Sequence, residues 1–211
     1  MIKTTHSDGY SDALQLDFVE KVETPIEIME LGVELHLAGL SLSNIKNVLR
    51  NRGWERARST IHNWIKKTNF EPEPDLNPDK ISLDETVVKV NGEHYWLYGA
   101  VDVETGKALH IELYPTRNMI YTKKFLYKLK EKYSINNCLF LVDGAPWLHA
   151  SLKDLELKFK HITFGDRNPM ERYFQEIKRK TGKFYNCFSN ADPKTADDWI
   201  KTQAWFINQL I

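Results

Sequence analysis

Two turn dipeptides, Asn91-Gly92 and Thr105-Gly106, separate three β-rich runs at 81–90, 94–102 and 108–115. Glycine in such a turn supplies the positive φ that a tight connection needs, so the spacing predicts two successive hairpins. Beyond them the pattern alternates. A helical stretch at about 119–133 leads to an apolar strand ending at Asp143, a helix at about 148–158, a strand at about 160–164 and a helix opening at Asn168-Pro169. Antiparallel strands followed by alternating helix and strand predict a mixed α/β sheet with helices packed on it.

Three acids fall at the ends or edges of these elements. Asp84 lies inside Ile81-Ser82-Leu83-Asp84-Glu85-Thr86-Val87-Val88, where burial without a partner is costly. Asp143 closes the apolar run Cys138-Leu139-Phe140-Leu141-Val142 and precedes Gly144, which frees the chain for a sharp exit. Glu171 stands in the first turn of a helix with Asn168 as its expected N-cap and Pro169 at its first position. Singly, each acid has an ordinary explanation: a salt bridge, a turn, or the helix dipole. Together they point to a divalent-metal site for phosphoryl chemistry. At about 100° per residue, Glu171, Gln175 and Lys178 share a helical face while Glu176 is rotated away, so Glu171 is the metal-facing glutamate.

The motifs carrying these acids resemble those of a known family. The DET run at Asp84, the YWLYGAVDVETGKAL stretch after it, the VDGAPW run at Val142 and the DRNPMERYFQEIKRKTGKF run from Asp166 are similar to the DDE transposases of bacterial and archaeal insertion sequences. The likeness is greatest to the insertion-sequence-six family and its shorter archaeal members, and it covers roughly residues 27–188. The 27 residues between Asp143 and Glu171 (171 − 143 − 1) make a shorter interval than that family usually has.

That resemblance implies a ribonuclease-H-like catalytic domain, two Mg²⁺ or Mn²⁺ ions, and cleavage of DNA followed by 3′-hydroxyl strand transfer. Asp84 would bridge the ions, with Asp143 and Glu171 each securing one. Carboxylates without soft ligands suit such hard cations. The implied partners are the element's terminal inverted repeats, target DNA, and at least a second copy of the chain. Two other readings stay open: a domesticated DNA-binding protein without catalysis, and a ribonuclease-H-like nuclease that hydrolyses without transfer. Intact acids weigh against the first.

Charge distribution agrees with a DNA partner although the formal net charge is zero. Residues 41–70 carry Lys46, Arg50, Arg52, Arg56, Arg58, Lys66 and Lys67 against Glu55 alone. The same segment reads as short helices: Ile28, Leu31 and Leu35 outline the first, Ser41 caps the second, and Ser59 or Thr60 caps the third. In the third, Ile61, Trp64 and Ile65 form the apolar stripe, leaving Ser59, His62, Asn63, Lys66 and Lys67 outward. Three helices with a basic last one predict a helix-turn-helix module in which Asn63 reads bases and the lysines hold phosphates. On the catalytic side, Lys178, Arg172, Arg179 and Lys180 are the expected contacts to the DNA backbone.

The expected organisation is an N-terminal arm over 1–26, the helix-turn-helix over 27–70, a stiff Pro-rich linker over 71–79, the catalytic domain over 80–188 and a terminal helix over 189–211. Cys138 and Cys187 make neither a zinc site nor a disulfide framework. No apolar run approaches the roughly 18 residues of a membrane span, and no signal segment begins the chain. A soluble, cytoplasmic, nucleoid-associated protein is expected.

Overall fold

The computed structural model describes residues 24–162, 168–182 and 188–211. The described residues divide into two compact units, one ending at Lys67 and the other beginning at Thr68.

The first unit contains α1 (Ile26–Leu37), α2 (Leu42–Asn51) and α3 (Arg58–Lys67). Their apolar residues meet in one small core of Val33, Leu37, Ile45, Leu49, Ile61 and Trp64. Ser41 caps α2 as expected, its hydroxyl accepting the Asn44 N–H at 3.2 Å. Helix α3 starts earlier than its sequence indicates. Arg58 is already helical, so Ser59 sits within the first turn instead of capping it. Gly32 lets two helices approach, since a Cβ there would lie 3.3 Å from the Trp64 ring.

The second unit is built on a five-stranded sheet in the order β3-β2-β1-β4-β5. Strands β1 (Lys80–Val90), β2 (Glu93–Asp102) and β3 (Ala108–Tyr114) form the two expected antiparallel hairpins. Asn91 and Gly92 both have positive φ, 48° and 85°, which matches the right-handed strand twist. Strands β4 (Leu139–Val142) and β5 (Lys158–His161) add in parallel beside β1. Helices α4 (Met119–Lys132), α5 (Pro146–Asp154), α6 (Asn168–Gly182) and α7 (Pro193–Asn208) flank the sheet. This is the ribonuclease-H-like mixed α/β arrangement.

Strand alternation divides the core into two. Ile81, Leu83, Tyr98, Ala100, Phe140 and Val142 face one way and pack with Phe125, Leu129, Leu148 and Leu152 of α4 and α5. Val90, Leu97, Val101 and Ile111 face the other way, covered by Met170, Tyr173, Phe174 and Ile177 of α6 and by Ala196, Ile200, Ala204 and Ile207 of α7. The terminal helix thus covers a sheet face. Asp192 caps it through the Thr195 N–H at 2.9 Å.

The Pro-rich segment is no free spacer. Phe70 stacks on Trp205 at 4.5 Å, Glu71 bonds Lys132 at 2.6 Å and Lys201 at 3.0 Å, and the Tyr133 hydroxyl donates to the Pro74 carbonyl at 3.3 Å. Proline removes backbone donors and keeps the segment extended. Side chains from α4 and α7 then tie it to the second unit. Cys138 is buried, its thiol donating to the Pro78 carbonyl at 2.7 Å; Cys187 lies outside the described residues. Among the described residues no helix is long and apolar enough to cross a membrane.

Candidate active site

Strand pairing sets the segments that carry two of the acids side by side. β1 and β4 pair in parallel as Ile81↔Phe140 and Ser82↔Leu141. The ladder ends there, two residues short of Asp84 on one strand and of Asp143 on the other. Because Leu83 enters the α4–α5 core, alternation aims Asp84 at the opposite face.

Each aspartate is fixed by a backbone N–H close in sequence. Glu85 N–H donates to Asp84 Oδ1 at 2.8 Å, and Ala145 N–H donates to Asp143 Oδ1 at 2.8 Å. The second contact is an Asx turn that leads straight into α5, where Pro146 occupies the first turn. His149, in the next turn, donates from Nε2 to the Asp143 carbonyl at 2.7 Å. Asp143 and the start of α5 are therefore one hydrogen-bonded piece.

The face bearing Asp84 is the one that α6 crosses. Asp84 pairs with Gly99 of β2, and a Cβ on Gly99 would lie 2.5 Å from Met170 Cε and 3.2 Å from Phe174 Cε1. Met170 is thus packed on the sheet beside Asp84, and Glu171 follows it. Glu171, Gln175 and Lys178 are all exposed, as the helical period requires, while Met170, Tyr173, Phe174 and Ile177 are buried. Glu176 is bound to Arg179 at 2.7 Å. The expected N-cap side chain, Asn168, lies outside the described side chains.

Among the described residues no three His, Cys, Asp or Glu side chains lie close enough to hold a common ion. The segments bearing Asp84 and Asp143 are neighbours in the sheet and the Glu171 helix packs on the face of Asp84, but the three carboxylates do not form one ligand cluster. Negative charges without a cation repel one another.

One expected DNA contact is corrected. Lys180 is only 4 % exposed, and its ammonium lies 5.5 Å from the Phe206 ring centre. It falls on the same helical stripe as Met170, Tyr173 and Ile177, so the stem packs inward. Arg172, Lys178 and Arg179 remain on the exposed side. In the first unit, Ser59, His62, Asn63, Lys66 and Lys67 are all exposed on α3, with Ile61, Trp64 and Ile65 buried beneath them.

Sequence reasoning missed a third acid beside the aspartates. The Glu85 side chain is 3 % exposed and projects to the α4–α5 face. It accepts the Trp147 Nε1–H at 3.0 Å and lies 3.7 Å from Arg117 Nη1. Arg117 in turn is sandwiched between indoles, 3.8 Å from the Trp96 ring centre and 4.6 Å from that of Trp147. Burial, with Asp84 and Asp143 adding repulsion, pushes the Glu85 carboxyl up to about 7. The balance explains the direction: desolvating a carboxylate costs several kcal/mol, whereas one hydrogen bond to a charged group returns about 1.5–3 kcal/mol. The legible signal was the alternation itself, which sends the residue after Asp84 into the core.

Comparison with known proteins adds a family to this geometry. A family model for a DDE domain matches residues 79–202. The chain belongs to the DDE transposase domain family. It is also 34 % identical over 187 residues to an uncharacterized protein of Methanocaldococcus jannaschii, covering 87 % of this chain and 86 % of that one. A shorter match, 34 % over 56 residues, joins 26 % of this DDE chain to 46 % of an uncharacterized Aquifex aeolicus protein. Among solved structures, a chain of the simian T-cell lymphotropic virus intasome superposes with a TM-score of 0.50 at 16 % identity, over 85 % of this chain and 69 % of that one. At that identity the likeness shows the fold alone. The match makes residues 79–202 a transposase-type nuclease domain.

Proposed function

We propose that this protein is an insertion-sequence transposase that cuts DNA at the element's terminal inverted repeats and joins the freed 3′-hydroxyl to target DNA. The observation that supports the reading is the parallel pairing of β1 and β4, which sets the strand that carries Asp84 beside the strand that leads into Asp143, with the Glu171 helix packed on the face that bears Asp84. We further place the chain with the insertion-sequence-six family and its short archaeal members, on the motifs quoted above.

The donor set suits a hard divalent cation, since Asp84, Asp143 and Glu171 offer carboxylate oxygens and no thiolate or imidazole. Asp84 and Asp143 would hold the inner pair of oxygens, and Glu171 would complete the set from α6. A bound Mg²⁺ or Mn²⁺ pair supplies activation of the attacking oxygen and charge stabilisation of the leaving one. The chain's own residues position the DNA. Lys178, Arg172 and Arg179 lie along the exposed side of α6, where they neutralise backbone phosphates without reading sequence. The exposed face of α3 finds the terminal repeats, with Asn63 presenting an amide to adenine edges and Lys66 and Lys67 to phosphates. Two ends must be brought together, so the working form is at least a dimer.

The test is a product assay with a terminal-repeat duplex carrying a 3′-hydroxyl and a circular target. Joined product establishes transposition. Cleavage alone reduces the protein to a nuclease, and bound but unchanged DNA reduces it to a binding protein.

A further inference from the structure

We infer that Glu85 and Trp147 form a positioning latch that holds the two aspartate-bearing segments at a fixed separation. The inference rests on the reading of Asp84 and Asp143 as metal ligands, and asks what sets the distance between them. The described β1–β4 ladder ends at Ser82↔Leu141, before either aspartate is reached. Past that point β1 continues as a hairpin with β2, while the other segment turns away into α5. Parallel ladder bonds therefore do not fix the aspartates themselves.

Each aspartate nevertheless belongs to a small rigid piece. Asp84 is bonded to the Glu85 N–H; Asp143 is bonded to the Ala145 N–H, and its carbonyl to His149, within the first turns of α5. The Glu85–Trp147 hydrogen bond, 3.0 Å between Oε1 and Nε1, joins one piece to the other. Its two ends lie one residue beyond Asp84 and four beyond Asp143. A hydrogen bond so near both ligands transmits any slack directly to their carboxylates.

Arg117 keeps the latch from rotating open. Its guanidinium lies against the Trp96 and Trp147 rings with Nη1 3.7 Å from Glu85 Oε1. The indole is thereby held at both its face and its N–H. Glu85 Oε2 is buried without a hydrogen-bond partner among the described residues. A residue chosen only to fill space would avoid that cost by being apolar. An acceptor for the indole N–H is needed for a latch, and Glu85 Oε1 supplies it.

The experiment measures Mn²⁺ binding to the full chain by electron paramagnetic resonance, alongside the melting temperature of the metal-free protein. Trp147→Phe keeps the ring and its stack on Arg117 but deletes the N–H. It is expected to weaken Mn²⁺ binding by roughly tenfold, the lower end of the usual effect of removing a partner one shell beyond the ligands, with little change in melting temperature. Glu85→Ala should weaken it to a similar extent, and the double variant should be no worse than either single one. Glu85→Gln retains an oxygen for the indole N–H and should bind Mn²⁺ close to the wild-type level.

Wild-type Mn²⁺ affinity in Trp147→Phe overturns the latch. Should that variant fail to fold, equal losses in Glu85→Gln and Glu85→Ala overturn it instead. An Asp84→Asn control separates the two levels. If wild-type Mn²⁺ binding does not depend on Asp84, the metal-site reading falls and takes the latch with it; if it does, a failed latch leaves that reading standing.

Discussion

Asp84 and Gly99 are direct partners across the β1–β2 ladder, and the missing side chain of Gly99 is what lets Met170 and Phe174 rest beside the aspartate. This pairing lets the helix bearing Glu171 pack close to the strand bearing Asp84. Gly99→Ala would place a methyl against both Met170 and Phe174. Met170 can swing its terminal methyl aside, but an aromatic ring 3.2 Å away yields less readily. A loss of about 1–3 kcal/mol is expected, the usual range for overpacking, with a larger loss for Gly99→Val. Chemical denaturation of the two variants checks the order. An unchanged midpoint for Gly99→Val would show that α6 does not depend on this contact.

Asp84→Asn, Asp143→Asn and Glu171→Gln should each abolish metal-dependent cleavage while leaving binding to repeat DNA nearly intact. The acids and the α3 face belong to different units. Glu176→Gln should be far milder, because Glu176 is engaged with Arg179 on the helix surface. Nicking of a supercoiled plasmid in Mg²⁺ measures all four. Cleavage retained by two of the first three variants would refute the assignment of the acids.

Removing Lys66 or Lys67 by alanine substitution in the full chain should weaken binding to repeat and scrambled DNA alike. For every phosphate that is no longer neutralised, the slope of log affinity against log salt should become shallower by about 0.9. Asn63→Ala should instead erase the preference for the repeat, with a discrimination loss of about 1–3 kcal/mol. Fluorescence anisotropy at several salt concentrations distinguishes the two effects. If Asn63→Ala weakens both DNAs equally, Asn63 is not a base reader.

Lys178 and Lys180 should part company despite lying two residues apart. Lys178 is exposed and Lys180 is packed over Phe206. Lys178→Ala is expected to lower DNA affinity without moving the melting temperature. Lys180→Ala should lower the melting temperature. Reversed outcomes would mean that α6 is rotated relative to the sheet in solution.

Acid should destabilise the second unit through Glu112. Burial alone would raise its carboxyl, but hydrogen bonds from His110, Lys128 and Tyr114 outweigh that and lower it from 4.5 to about 2. A depressed folded-state value means that the unfolded chain takes up the proton first. The stabilisation is then complete above pH 4.5 and disappears as the pH falls toward 2, and it amounts to a few kcal/mol, on the order of 3. Glu112→Gln should flatten the fall in melting temperature across that window. An equally steep fall in the variant would place the acid sensitivity elsewhere.

Local sequence rules determined most of the elements of this protein. Asn91-Gly92 dictated a tight hairpin because both positions tolerate positive φ, Ser41 dictated a helix start because its hydroxyl satisfies an otherwise bare N–H, and the 3.6-residue period of α6 turned Glu171 outward with Lys178. Alternation in β1 assigned Asp84 to the sheet face opposite Leu83 and Glu85. The register itself, Ser82 against Leu141, was decided by long-range packing between segments more than fifty residues apart, which no local periodicity encodes. Tertiary structure alone also decided that the Pro-rich segment is strapped down by Lys132 and Lys201, since ion pairing depends on which helices arrive beside it. The same holds for Lys180, whose burial depends on Phe206 of α7, and for Glu85, whose partners Trp147 and Arg117 come from separate loops and helices. Composition marks such residues as charged and therefore as surface; only the packed neighbours reveal where the charge is kept inside.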